Sequence, residues 1–261
     1  MRKRRIKIKQ EKDRRSMPFL PNFVTTIGLF SGFYSMLFSL KGNFYWAAVM
    51  ILCAGFIDAI DGRIARATNS TSAFGKEYDS LSDVIAFGVA PAIMIYLWTL
   101  KAYGKLGFLA CFLFVACGAL RLARFNTDTT GDTSKFTGLP IPVAAATVAS
   151  VVLLSDVVGQ IPEVPALAGV YFLSFLMVST IKYPSFKHIT YIKAHPFQLL
   201  VAGLLLLVVI ASAPEVMAFI LTMTFVFGSI LLNIIMAIVV RKKKEVYGVD
   251  DEAGTGENHH I

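Results

Sequence analysis

Eight apolar runs, near residues 19–40, 44–61, 79–100, 106–125, 138–158, 165–182, 195–212 and 215–240, divide most of the 261-residue chain, each set off by Gly, Pro or charge. A hydrocarbon core about 30 Å thick is crossed by roughly 20 apolar residues of helix, so the runs have the lengths of membrane spans. The sequence therefore predicts an all-α, polytopic integral membrane bundle of about eight transmembrane helices. With 56% hydrophobic and 16% charged residues and a mean hydropathy of +0.64, the composition is not that of a soluble domain. It also excludes collagenous, disulfide-scaffold and intrinsically disordered classes.

The net charge of +8 is unevenly placed, because nine of the 25 Lys and Arg lie between Arg2 and Arg15 and a second cluster, Arg241 to Lys244, follows the last apolar run. Basic clusters abutting apolar segments mark the cytoplasmic face, where they meet anionic lipid, so the charge points to membrane lipid and to no nucleic acid. Eight spans put both termini on one side. With a cytoplasmic N-terminus, 22 of the 25 basic residues fall on that side and only Lys41, Lys101 and Lys105 on the other. The expectation is a multi-pass protein of the cell (inner or plasma) membrane, its polar mass in 62–78, 126–137 and 183–194 facing the cytoplasm. The chain divides into a basic cytoplasmic N-terminal tail (1–17), one membrane domain (18–240) and a cytoplasmic C-terminal tail (241–261) expected to be disordered. A charged stretch before an apolar run has the form of a signal peptide, but the run 19–40 is long and Ser39-Leu40-Lys41-Gly42 is a poor cleavage site, so it is expected to remain as the first span. Cys53, Cys111 and Cys117 share no metal-ligand spacing and read as membrane-buried packing residues.

Chemistry concentrates at the cytoplasmic ends of the second and third spans. Asp58 and Asp61 stand three apart and Asp79 and Asp83 four apart, so each pair shares one helix face. A charge at mid-helix costs ~2.5–3.5 kcal/mol on insertion scales, so four such carboxylates need cationic company. Arg63 and Arg66 could supply it as a salt-bridged helix end that only fixes topology. Alternatively, hard oxygen ligands in equivalent pairs suit Mg²⁺ or Mn²⁺, and two such ions would bind and polarise a diphosphate. Gly62 and Gly75 lack side chains where backbone would approach a ligand, and the planar fork of Arg66 suits a phosphate.

The stretch Asp58-x-x-Asp61-Gly62-x-x-Ala65-Arg66, then Gly75, Asp79 and Asp83, resembles without departure the motif of the CDP-alcohol phosphatidyltransferase family, eight fixed positions in 26 residues. The resemblance implies a transferase that displaces CMP from a CDP-linked lipid with an alcohol, using two divalent cations, Mg²⁺ or Mn²⁺. It implies that Asp58 and Asp79 touch both metals, Asp61 the first and Asp83 the second, with Asp83 also the general base. It further implies CDP-lipid contacts for Gly62, Arg66, Ser72, Gly75 and, in a Pro21-Asn22 turn before the first span, Asn22; a solvated Ser and a capping Asn are the plainer readings of two of these. A homodimer is implied in the same way.

Three further segments, Gly118 to Asn126, Phe136 to Pro142 and Lys182 to Lys187, resemble the membrane-integral bacterial phosphatidylserine synthases within that family. The expected substrates are then CDP-diacylglycerol and L-serine. Arg121 and Arg124, three apart at a cytoplasmic helix end, could clamp the serine carboxylate, with Asn126 completing the pocket. Either arginine alone could equally be a topology anchor. The segment Gly138 to Pro142 is expected to open a helix, Pro standing where a missing amide donor costs little. Sister enzymes using glycerol 3-phosphate or inositol, and a cation transporter built on intramembrane aspartates, are the alternative readings.

Overall fold

The computed structural model describes residues 19–67, 72–127, 135–159, 161–184 and 212–247. Helices α1 (Phe19–Leu40) and α2 (Phe44–Ala67) form a hairpin over the turn Lys41-Gly42-Asn43, where Gly42 takes φ +75°. Small residues let the two backbones approach: Ala47, Ala48 and Ala54 are fully buried, and Ser31 Oγ of α1 donates to Met50 O of α2 at 2.8 Å.

The next span, Ala73–Trp98, is one rod with a fault in it. Helix α3 (Ala73–Asp83) passes through a π-helical turn, Val84–Val89, into α4 (Ala90–Trp98). The Ala90 amide donates to Ile85 O, five residues back, directly before Pro91, which has no amide to give. A 3₁₀ turn, Leu100–Tyr103, leads to α5 (Lys105–Thr127). Then follow β1 (Lys135–Thr137), α6 (Ile141–Val158), α7 (Glu163–Val178), β2 (Lys182–Pro184) and α8 (Pro214–Tyr247). Helix α6 runs through the middle, buried along Ala144, Ala145, Val148, Ala149 and Val152, and packs on α2 and α8. Large side chains such as Phe30, Phe56, Phe112 and Phe175 point outward, the arrangement of helices solvated by lipid.

Six helices among the described residues are long and apolar enough to cross a bilayer, and α7 is a shorter apolar helix of 16 residues. They coincide with seven of the eight apolar runs; the run 195–212 lies outside the described residues but for its last position. Several boundaries differ. The stretch 62–78, expected as a polar loop, is helical at both ends, because hydropathy marks where lipid stops and not where hydrogen bonding stops: α2 runs on to Ala67 and α3 begins at Ala73. Likewise α8 continues through Arg241–Lys244 to Tyr247, so the first part of the tail expected to be disordered is helix. Pro21 and Asn22 sit inside the first turn of α1 and not in a turn before it, since a first-turn Pro sacrifices an amide that has no helical partner anyway. Cys111 and Cys117 are buried as expected, whereas Cys53 is exposed on the outer side of α2.

Among the described residues the all-α expectation meets one exception, a short antiparallel ribbon pairing Phe136 with Tyr183. It straps the start of α6 to the end of α7. Gly138, at φ +82°, donates its amide to Ile181 O at 2.9 Å, and a Cβ there would stand 2.3 Å from Met177 O. Pro140 then caps α6 with Pro142 in its first turn, as the sequence predicts.

Candidate active site

One end of the bundle gathers the carboxylates. Asp58 and Asp61 occupy the late turns of α2, while Asp79 and Asp83 lie on α3. What starts α3 is Ser72, whose Oγ accepts from the Gly75 amide at 2.9 Å and so caps the helix. A Cβ on Gly75 would stand 3.1 Å from both Ser72 Oγ and Asn22 Oδ1. Asn22, Ser72 and Gly75 thus meet where α1 passes the start of α3, and the glycine leaves the room they share.

Asp58, Asp79 and Asp83 each present one oxygen within 4.8 Å of the others, all three half-buried. Asp61 is 5% exposed; its Oδ2 accepts from the Thr25 hydroxyl, and its Oδ1 is buried with no hydrogen-bond partner. Electrostatic interaction links all four carboxylates. So many like charges out of water require a counter-charge, and the donor set is all hard oxygen. The arrangement fits a hard divalent cation. The three converging oxygens are what such an ion would satisfy; Asp61 stands outside that group of three, its Oδ1 buried and unpartnered.

Arg121 of α5 reaches toward the same place. It is half-buried, its Nε is buried without a hydrogen-bond partner, and it interacts electrostatically with Asp83. Arg124 is exposed, so the two arginines expected to act as one clamp occupy different environments. Asn126 is half-buried and its Nδ2 donates to Ser80 Oγ at 2.9 Å. Lys76 Nζ reaches Asn126 O at 3.5 Å, and Ser80 Oγ donates to Lys76 O at 3.1 Å, which closes a ring between α3 and the end of α5. Gly62 is exposed near the end of α2. Arg66 stands four residues later on the same helix, and its side chain lies outside the described residues.

Residues of α1 that sequence reading passed over complete the site. Besides Thr25, Thr26 Oγ1 shares a hydrogen bond of 2.9 Å with Tyr78 OH, and Ser82 Oγ donates to Thr25 O at 3.4 Å. The available signal was two adjacent hydroxyls within the first apolar run. It is weak, because a membrane Thr commonly bonds back to its own helix, as Thr26 also does to Asn22 O at 2.7 Å.

The chain is similar to known proteins over about two thirds of its length. The chain is 42% identical over 173 residues to a CDP-diacylglycerol–serine O-phosphatidyltransferase of Helicobacter pylori, an overlap of 65% of this chain and 73% of the relative. It is 43% identical over 167 residues to an archaetidylserine synthase of Methanothermobacter thermautotrophicus, covering 63% and 69% of the two chains. A CDP-diacylglycerol–serine O-phosphatidyltransferase of Bacillus subtilis is 34% identical over 171 residues, 66% of this chain and 93% of that one. The family pattern described as CDP-alcohol phosphatidyltransferase spans residues 18–182, from the start of α1 to β2, and so takes in both carboxylate helices and Arg121. The match over residues 18–182 and relatives at this level of identity show that the chain belongs to the CDP-alcohol phosphatidyltransferase family.

Proposed function

We propose that this protein is a phosphatidylserine synthase, which transfers the phosphatidyl group of CDP-diacylglycerol to the hydroxyl of L-serine and releases CMP. The observation that carries the reading is the convergence of Asp58, Asp79 and Asp83 from two helices, with Arg121 within electrostatic reach of Asp83. The relatives named for serine support the choice of acceptor. The site belongs at the cytoplasmic face of the cell membrane, with both termini on that side and eight spans in the domain 18–240. Basic residues of the described chain support this: Arg63, Lys76, Arg121 and Arg124 lie at the carboxylate end, and Lys41, Lys101 and Lys105 at helix ends remote from it. The molecule works as a homodimer.

Asp58, Asp61, Asp79 and Asp83 would hold two Mg²⁺ or Mn²⁺ ions. What the bound cations supply is neutralisation of diphosphate charge and stabilisation of the departing phosphate. Asn22, Gly62, Arg66, Ser72 and Gly75 hold the CDP group, the bare backbone of Gly75 keeping Asn22 and Ser72 together at the start of α3. Arg121 is the main grip on the serine carboxylate, with Asn126 and the exposed Arg124 as lesser contacts. Asp83 accepts the proton of the serine hydroxyl, whose oxygen forms a bond to the phosphorus that carries diacylglycerol. The bond from that phosphorus to the bridging oxygen breaks, and CMP leaves with the oxygen.

The test is CMP release by the purified protein in CDP-diacylglycerol micelles with Mn²⁺ or Mg²⁺. Serine, glycerol 3-phosphate, inositol and no acceptor are compared, with an ether-linked CDP-lipid as a second donor. Release that requires serine, and falls about 10²- to 10⁴-fold in Asp83→Asn, is expected. Release with another alcohol would overturn the serine pocket, and no release with any pair of substrates would overturn the enzyme.

A further inference from the structure

Thr25 lies at the joint between the two carboxylate helices. Its side chain donates to Asp61 Oδ2 on α2, and its carbonyl accepts from Ser82 Oγ on α3, one residue before Asp83. Thr25 is 6% exposed, so both bonds are made out of water. Asp61 presents two chemically different oxygens as a result. Oδ2 has a donor, while Oδ1 is buried and has none. The terminal torsion of an aspartate is broad and two-fold, so without a donor on one side the two oxygens would exchange freely. A hydroxyl fixed to one of them sets the plane of the group and keeps the other aimed in one direction. A buried oxygen held in that way is costly unless a cation completes it.

We propose that Thr25 is a positioning residue of the divalent-cation site, fixing the Asp61 carboxylate so that Oδ1 faces the metal. The proposal rests on the metal-binding reading above and adds a residue outside the aspartate motif. Outer-shell donors of this kind set the orientation of a carboxylate ligand, and their loss commonly weakens metal binding by about 10- to 100-fold. Thr25→Val removes the donor at nearly constant volume, Thr25→Ser keeps it, and Thr25→Ala serves as a second donorless variant should the first not fold.

The measurement is Mn²⁺ binding, without substrate, to the purified full chain in lipid nanodiscs, followed by the electron paramagnetic resonance of free Mn²⁺. Thermal unfolding of the metal-free protein checks that each variant is folded. Thr25→Val and Thr25→Ala are expected to weaken binding about 10- to 100-fold. Thr25→Ser should stay close to the unaltered protein, and in an Asp61→Asn background Thr25→Val should add less than about twofold, because both changes act through one interaction. Binding by the donorless variants equal to that of the unaltered protein overturns the role of Thr25, as does a Thr25→Ser variant as weak as Thr25→Val. A full further loss on top of Asp61→Asn overturns the route through Asp61. Absence of Mn²⁺ binding by the unaltered protein overturns the metal reading itself, which separates the two failures.

Discussion

Gly32 of α1 and Ala86 of the π turn meet backbone to backbone: a Cβ on Gly32 would stand 2.6 Å from Ala86 Cα and 2.7 Å from its Cβ. Neither atom can rotate away. The contact holds the π turn against α1, and Ala86 follows Asp83 by three residues, so whatever pushes the turn aside also moves the proposed base.

Gly32→Ala is therefore expected to destabilise the protein by about 1–3 kcal/mol through overpacking, although Ala is the better helix former. Gly28→Ala is the control, since its Cβ would meet only Ile57 Cγ2, at 3.6 Å. That change should leave stability unchanged or raise it by about 0.5–1 kcal/mol. Thermal unfolding midpoints in detergent check both, and equal midpoints for the two variants would show that the Gly32 contact is not as close as described.

Arg121 and Arg124 should separate in kinetics. The half-buried Arg121 faces Asp83 with a buried Nε that has no hydrogen-bond partner, whereas Arg124 is exposed. Arg121→Lys keeps the charge and loses the fork, so the expected effect is a rise in the KM for serine of roughly 10- to 100-fold, the worth of one charged hydrogen bond. Arg124→Lys should change it by less than about threefold, the worth of an exposed charge. Initial rates of CMP release at varied serine decide the matter. Equal effects would restore the two-arginine clamp that their spacing suggests.

Much of this was legible in the sequence because membrane spans and their carboxylates leave strong local signals. Asp58, Asp61, Asp79 and Asp83 declare themselves by spacing, and the structure brings three of them within 4.8 Å. The π turn after Asp83 was not legible, since Pro91 marks a fault in the helix but not its form. Thr25 and Thr26 were missed because their partners, Asp61 and Tyr78, stand 36 and 52 residues away, and a hydroxyl in an apolar run does not say what it bonds. The helical reach of 62–67 and 73–78 was hidden for another reason: polar residues read as loop, yet a helix that leaves the bilayer keeps its hydrogen bonds.

The ring of Asn126, Ser80 and Lys76 ties the end of α5 to α3. Each neutral bond of this kind is worth about 1 kcal/mol. Asn126→Ala should cost about that much, Ser80→Ala somewhat more because it also loses the bond to Lys76 O, and the double variant no more than Ser80→Ala alone, because the Asn126–Ser80 bond is lost in both. The readout is a double-mutant cycle on unfolding midpoints. If Asn126 also touches serine, its variant alone should raise the KM for serine while Ser80→Ala does not, which distinguishes a pocket residue from a strut.

Metal should stabilise the unaltered protein far more than a charge-reduced one. Without a cation, the half-buried Asp58, Asp79 and Asp83 and the buried Asp61 repel one another. Removing one charge relieves that repulsion, so metal-free Asp58→Asn should unfold at the same temperature as the unaltered protein or higher. Adding Mn²⁺ to the unaltered protein should raise its midpoint, since a ligand that binds only the folded state at 100 times its dissociation constant contributes about 2.7 kcal/mol. Asp58→Asn, with a ligand lost, should gain much less from the same addition. A chelator such as EDTA should abolish the gain and CMP release together, with both restored by Mn²⁺. A variant that is less stable without metal and gains as much from it would mean that Asp58 holds the fold and not the ion.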